Sequence, residues 1–385
     1  MKQRILVLSE VYPPSTGGSG RWLYEVYSRL KLERLIVVTT NAVERPTEYQ
    51  LPSHVLEERV TWGFSDWGVT RVQSLGRYAS LVLRAVLLCR KHKIEAIHCG
   101  RNLPEGIIGA VVSRLLGIPL LCFVHGEDVM TALSSGQLKW LTNSALRCCQ
   151  KVVANSRNTA RLLQEDWGLD SQKVTVLNPG VDSDYFSPAE DRDATKASLG
   201  WSGKRVVLTV GRLQRRKGHD HVIACLSGLR KQYPDLLYVI VGSGDQAGRL
   251  AELVKKHDVA DIVEFRGETT DAELLSCYQA CDLFVLANRE INGDIEGFGM
   301  VLVEAQACAR PVLAGTSGGT SETMEPGVTG ELVDAADVTA LRDRLGSMLN
   351  DLGQLDTMGQ LGRQRVVEYL DWKALASAAR RLLQE

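Results

Sequence analysis

The sequence predicts an α/β protein built as two doubly wound halves. Three observations carry this. Short apolar runs alternate with segments of helical period along most of the chain, the pattern of a parallel sheet with helices on both faces. The alternation lapses once, around residues 178–203, and then restarts. The length, 385 residues, exceeds one ordinary core and fits two domains.

In the first half, Arg4–Leu8 reads as a short buried strand. A loop holding Pro13, Pro14, Gly17, Gly18 and Gly20 follows, then an amphipathic helix from about Arg21 to Leu30. Leu35–Thr39 is a second strand. Helix 77–92 precedes strand Ala96–Cys99, helix 105–116 precedes strand Leu120–Val124, and a helix ending near Gln150 precedes strand Val152–Ala154. Asn178-Pro179-Gly180-Val181-Asp182 is turn-forming, and the polar stretch Ser187–Asp193 marks a domain boundary. Beyond it, strands Val206–Val210, Leu236–Val241, Ile262–Phe265, Leu283–Leu286 and Pro311–Ala314 are expected, with helices at 219–231 and 245–257 and a helical end from about Val338. The domains are therefore expected at 1–188 and 189–371, with a last helix, about 372–385, packing back on the first. Ligands of open α/β sheets bind beyond the carboxyl ends of the strands. Two such domains facing each other would hold a ligand in the cleft between them.

Hydrophobic content of 44% and charged content of 24% describe a folded globular chain and exclude disorder. The net charge of −1 gives no global field, so nucleic acid is not an expected partner. The halves differ: residues 1–188 carry 22 Lys+Arg against 17 Asp+Glu, about +5, and the remainder 23 against 29, about −6. A basic first half suits an anionic partner, or is only an ordinary solvated surface. Helix 77–92 carries Arg77, Arg84, Arg90 and Lys91 beside Leu81, Val82, Val86 and Leu87. Such a segment can lie on an anionic membrane as a peripheral contact, or can pack on the sheet with a solvated edge. No apolar run reaches the ~18–20 residues of a membrane span, and Met1-Lys2-Gln3-Arg4 leads into a strand and not a signal peptide. The nine cysteines form no Cys-x-x-Cys pair and read as reduced, buried thiols, with neither metal nor disulfide role. A cytoplasmic place follows, with the inner face of the membrane where the basic half would meet lipid.

The chemistry concentrates in the second half. Glu296-Gly297-Phe298-Gly299-Met300 runs into Val301-Leu302-Val303-Glu304. Two carboxylates eight residues apart, with Gly297 and Gly299 between them, let main-chain amides approach a ligand while each acid grips a different hydroxyl. If Met300 begins a helix, its amides favour an anionic group. This suits a sugar joined to a phosphate. Gly211-Arg212-Leu213-Gln214-Arg215-Arg216-Lys217-Gly218 follows strand Val206–Val210. Arg212 can hold phosphate oxygens with its planar fork, and Lys217 adds a compact charge; the alternative is a basic surface loop.

Gly-Arg-Leu-x-x-x-Lys-Gly at 211–218, Gly242-Ser243-Gly244, Phe265-Arg266-Gly267, Glu-Gly-Phe-Gly-x-x-x-x-Glu at 296–304 and Gly318-Gly319, in that order, resemble the retaining glycosyltransferases of family 4 (glycosyl transferases group 1). The resemblance spans nearly the whole chain and is strongest from 206 to 335. It implies the GT-B architecture of two facing Rossmann-like domains, no cofactor and no metal. It implies that Arg212 and Lys217 hold the diphosphate of a sugar nucleotide and stabilise the leaving group. Glu304 would accept from the ribose hydroxyls. Glu296 would grip the donor sugar, with the amides of Gly297, Phe298 and Gly299 and with Met300 alongside. Main-chain atoms of Arg266 and Gly267 would meet the base. Gly17 and Gly18, in the loop 14–20, would lie near the phosphates, and His125, before Gly126-Glu127-Asp128, near the reacting carbon. The catalytic set is then His125, Arg212, Lys217 and Glu296.

The link from Leu286 to Glu296 is longer than in the family, and Arg289 within it is expected to shape the pocket. Asp294-Ile295-Glu296 is not taken as a metal site, because the cations already supply positive charge. The expected reaction moves a hexose from a nucleoside-diphosphate sugar to an acceptor hydroxyl with retention, UDP-sugar first and GDP-mannose second. The acceptor would be a glycan or lipid-linked sugar in polysaccharide or glycolipid assembly, chosen by loops such as 41–70 with Trp62 and Trp67. Two rivals stay open: a nucleotide-sugar epimerase of the same architecture, and a non-catalytic sugar-nucleotide-binding protein.

Overall fold

The computed structural model describes residues 3–13, 17–40, 53–64, 67–68 and 72–384. Pro14, Ser15 and Thr16 of the first glycine loop and much of 41–70 lie outside them. The chain forms two compact units, one reaching Pro179 and resuming at Leu375, the other Gly180–Ala374. The division falls nine residues before the expected boundary at 188, because Val181 already bridges to Asp371 and its N–H donates to Leu370 O at 2.9 Å.

The first unit holds seven parallel strands: β1 Arg4–Leu8, β2 Arg34–Thr40, β3 Val55–Val60, β4 Ala96–Cys99, β5 Leu120–Val124, β6 Lys151–Ala154 and β7 Val174–Val176. Their order is β3-β2-β1-β4-β5-β6-β7. The middle strands are buried on both faces, which is why they read as unbroken apolar runs. Trp62 is fully buried in this core and Trp67 packs against it. Trp62 thus corrects the expectation of an acceptor-loop aromatic: it fills the space beside the end of β3. The terminal helix Trp372–Gln384 runs into this unit, where Lys151 Nζ donates to Leu382 O at 3.2 Å.

The second unit holds six parallel strands: β8 Arg205–Val210, β9 Leu236–Val241, β10 Val263–Gly267, β11 Leu283–Leu286, β12 Val312–Gly315 and β13 Gly330–Val333, in the order β10-β9-β8-β11-β12-β13. Alternate residues of β8 serve opposite cores. Val207 joins one cluster; Val206, Leu208 and Val210 join the other. This two-sided burial is the doubly wound arrangement. All nine cysteines are free thiols, eight of them buried.

Candidate functional site

Strand order decides which loops meet. In the second unit β8, β11 and β12 are neighbours. The segments leaving their carboxyl ends are Gly211–Gly218, the link 287–299 and the turn at Gly318-Gly319. The β8/β11 pair is also where the order reverses, the usual ligand crevice of an open α/β sheet.

Lys217 Nζ lies 2.5 Å and Arg216 Nη1 2.6 Å from the same Glu296 oxygen, Oε2. Glu296 is buried, and Oε1 carries no hydrogen bond to a described residue. Burial alone would raise its carboxyl; Lys217 and then Arg216 outweigh that and hold it at about 2. The acid is therefore ionised at any working pH, with one oxygen clamped and one open. Its main chain is fixed as well. Gly319 N–H donates to Glu296 O at 2.9 Å, and Gly318 sits so close that a Cβ there would stand 1.8 Å from the same carbonyl oxygen.

The link before Glu296 is a tight hairpin. Ile291 and Asp294 exchange main-chain bonds of 3.1 and 2.9 Å across Asn292-Gly293, both at positive φ. The turn brings Asp294 Oδ1 within 3.1 Å of Arg216 Nε, so Asp294 is an ion-pair partner of Arg216. Arg289 does not open into a pocket. Its guanidinium makes a bidentate pair with Asp220 at 3.0 and 2.8 Å, and its N–H donates to Arg216 O at 2.9 Å. Burial would raise the Asp220 carboxyl, and Arg289 pulls it below its ordinary value.

Met300–Ala307 is helical, as the site reading requires, with Gly299 at φ +95° before it. Glu304 lies in this helix, buried, and its Oε2 accepts from Tyr278 Oη at 2.7 Å. Phe298 points into the core, so only its main chain faces the turn. Arg212 is exposed, and its guanidinium has no partner among the described residues. It is free to meet an incoming anion, as is Arg215 in the same segment, also exposed. Arg266 is fully engaged. It meets Glu264 at 2.5 Å, Glu273 at 3.0 Å and Leu199 O at 2.8 Å, over the Trp201 ring. Gly267 O accepts from Gly242 N–H at 2.7 Å. That carbonyl keeps a second lone pair, so the main chain of this pair can still accept from a base.

In the first unit, β1, β4, β5 and β6 are consecutive in the sheet, and the carboxyl ends of the last three bring Gly100, His125 and Asn155 together. His125 Nε2 donates to Gly100 O at 2.8 Å; a carbonyl only accepts, so this nitrogen carries the proton. Trp22 stacks edge-on against the ring at 5.4 Å. Trp22 belongs to helix Gly18–Ser28, whose N-cap is Gly17, so that helix and His125 meet through one aromatic. Asn155 Nδ2 donates to His125 O at 3.0 Å, and Asp128 Oδ1 accepts from His125 N–H at 3.1 Å. Burial pushes the Asp128 carboxyl up, against the pull of His125. Ser156 caps the next helix through Thr159 N–H.

Sequence reasoning passed over Arg216 and Tyr278. Arg216 stands in the quoted Arg-Arg-Lys run, next to Lys217; nothing local distinguishes Tyr278.

The family model for Glycosyltransferase Family 4 matches residues 16–185, and that for Glycosyl transferases group 1 matches 191–365. The chain is 32% identical over 302 residues to a GDP-mannose-dependent alpha-(1-6)-phosphatidylinositol monomannoside mannosyltransferase of Mycolicibacterium smegmatis, covering 77% of this chain and 78% of the relative. It is 29% identical over 391 residues to a D-inositol 3-phosphate glycosyltransferase of Thermobispora bispora, covering 94% and 89%. Anabaena HepE, solved with UDP and glucose, superposes with a TM-score of 0.82 over the full length of both chains at 23% identity, a likeness of fold. With two Rossmann-like parallel-sheet domains of the GT-B kind and the glycine-rich acid turn in place, the chain belongs to the group 1, family 4 glycosyltransferases.

Proposed function

We propose that this glycosyltransferase moves mannose from GDP-mannose to a hydroxyl of a glycolipid-type acceptor, with retention of configuration and without a metal ion. The observation that carries the reading is Glu296: ionised, with Oε2 held by Lys217 and Arg216 and Oε1 open to a sugar hydroxyl. Two cations on the carboxylate weaken it as a nucleophile and suit it to hydrogen bonding. Same-face attack, with the departing phosphate taking the acceptor proton, fits that role. Arg212 and Lys217 are the groups to receive the charge that develops on the diphosphate. Glu304, set by Tyr278, is proposed for the ribose, and His125 for the sugar near the reacting carbon.

The donor order differs from the sequence expectation. A UDP-sugar stood first there. The relative at 32% identity is named as GDP-mannose-dependent, whereas the UDP-glucose complex of the Anabaena protein comes at 21% identity and speaks only to fold. GDP-mannose therefore comes first. The phosphatidylinositol and inositol phosphate in the relatives' names support an acceptor built on a phosphorylated polyol or glycolipid.

The proposed workplace is the inner membrane surface. No helix of the described residues is long and apolar enough to cross a membrane. Helix Val72–His92 exposes Leu75, Leu83 and Leu87, and ends in Arg90, Lys91 and His92. Its neighbour Glu105–Leu116 exposes Val111 and Leu115 beside Arg114, and helix Gly136–Cys148 exposes Trp140 beside Lys139. Apolar side chains among cations match an anionic lipid surface.

A thermal-shift panel of GDP-, UDP- and ADP-sugars tests the donor. GDP-mannose at 100 times its dissociation constant should stabilise by about 2.7 kcal/mol. The anomeric configuration of the product, read by NMR in the presence of a chelator, tests retention and metal independence together. Isomerised sugar formed without acceptor would instead establish the epimerase.

A further inference from the structure

Lys217 is committed twice in the donor-site reading: it sits on Glu296 at 2.5 Å, yet it is the residue expected on the diphosphate. An ammonium that moved to a phosphate would leave a buried carboxylate behind. Such an acid must keep a partner or lose its charge. Arg216 is built to be that partner. Its side chain is 6% exposed. It reaches Glu296 Oε2 through Nη1 at 2.6 Å and Asp294 Oδ1 through Nε at 3.1 Å. Its own carbonyl is pinned by Arg289 N–H. A planar guanidinium between two acids has little freedom to leave, whereas a lysine stem of four carbons can swing. Neighbouring positions in the chain thus present one anchored cation and one movable cation to the same oxygen.

We propose that Arg216 is the standing counter-ion of Glu296, and that Lys217 transfers from Glu296 to the donor diphosphate when the sugar nucleotide binds. Arg216 is in this account a positioning residue. It keeps Glu296 ionised and aimed at the sugar while Lys217 is elsewhere. The two charges of Asp294 and Glu296 balance those of Arg216 and Lys217 before binding; afterwards the diphosphate takes Lys217 together with the unpartnered Arg212. The proposal rests on the donor-site reading and specifies how its charges are shared.

The test compares Arg216→Gln, Arg216→Lys and Lys217→Ala with the unaltered protein. GDP and UDP are titrated without sugar, and transfer is then assayed with the corresponding mannose and glucose donors. Lys217→Ala should weaken nucleoside diphosphate binding by about tenfold or more. Arg216→Gln should leave that affinity within about threefold and lower kcat by about a hundredfold, since the sugar and not the diphosphate has lost its grip. Arg216→Lys should recover part of kcat. Diphosphate binding weakened as much by Arg216→Gln as by Lys217→Ala would make Arg216 a phosphate ligand and overturn the proposal. Unchanged kcat in Arg216→Gln would also overturn it. If Arg216→Gln fails to fold, Arg216→Lys decides alone: kcat must fall while nucleotide affinity holds. Failure of the donor-site reading looks different, because the unaltered protein would then bind neither nucleotide nor transfer sugar.

Discussion

The carbonyl oxygen of Glu296 occupies the space that a Cβ on Gly318 would need, 1.8 Å away. The two residues come from the ends of adjacent strands, β11 and β12, so the glycine sets how deeply the acid turn can settle against its neighbour. Gly318 also sits at φ +71°, which an L side chain adopts at a cost.

Gly318→Ala should therefore move the Glu296 turn and strain the backbone. A combined cost of about 2 kcal/mol corresponds to a fall of roughly 4–8 °C in melting temperature for a unit of this size. A displacement of about 1 Å at the acid should cost on the order of a hundredfold in kcat/KM. Melting curves and donor kinetics check this. A variant that melts lower and turns over normally would show that the contact holds the fold and not the site.

The Glu296 carboxyl offers a pH signature. Its folded value, about 2, lies below the ordinary 4.5. A group depressed on folding contributes stability above the unfolded value and loses it as pH falls toward the folded one. Wild type should thus exceed Glu296→Gln by a constant margin of about 3 kcal/mol above pH ~4.5, shrinking progressively toward pH ~2. Urea unfolding of both proteins from pH 7 to the acid limit measures the difference. A margin that does not change with pH would mean that Lys217 and Arg216 do not depress the carboxyl.

The parts of the fold that could be read from the chain are those buried on both faces. Leu120–Val124, Leu236–Val241 and Leu283–Leu286 are unbroken apolar runs, Arg4–Leu8 is one from Ile5 onward, and each is a strand with those bounds. The strands that escaped are Val55–Val60, Val174–Val176 and Gly330–Val333, all at sheet edges. An edge strand need satisfy only one neighbour, and Glu57, Glu58 and Arg59 break the alternation in the first of them. In the site, Lys217 and Glu296 were legible because each stands in a dense local motif. Arg216 was not, since its partners lie 78 and 80 positions away and meet it only through the β8/β11 pairing. Tyr278 was not, since a tyrosine on the buried side of a helix gives no sign that its hydroxyl ends on Glu304. Asn292-Gly293 was readable as a two-residue turn, the usual partner of positive φ at both places, and would have shortened the apparent link.

Tyr278→Phe should separate support from contact. The hydroxyl donates to Glu304 Oε2 at 2.7 Å in a buried setting, and its loss removes one donor from a carboxylate at a cost of about 1–3 kcal/mol. If Glu304 serves the ribose, nucleotide affinity should weaken by roughly fivefold to tenfold while the bound sugar still reacts, because a loosened acid raises KM more than it lowers kcat. Calorimetric titration of GDP checks the first statement and steady-state kinetics the second. Equal affinities in the two proteins would remove Glu304 from the nucleotide site.

Arg289 and Asp220 form a bidentate pair whose side chains are 8% and 12% exposed. Removing one partner leaves a nearly buried charge without compensation, which costs about 3–5 kcal/mol in comparable pairs. Arg289→Met and Asp220→Asn should each destabilise strongly, and the double variant should be less destabilised than the sum of the two. The coupling should be about 1–3 kcal/mol. Because Arg289 N–H also holds the Arg216 carbonyl, and that bond is main chain to main chain, Arg289→Met should leave it intact. The variant's effect should then appear in stability far more than in donor KM. Denaturant unfolding of the four proteins of the cycle, with donor kinetics on each, decides the matter. A large KM effect with little loss of stability would return Arg289 to the pocket wall.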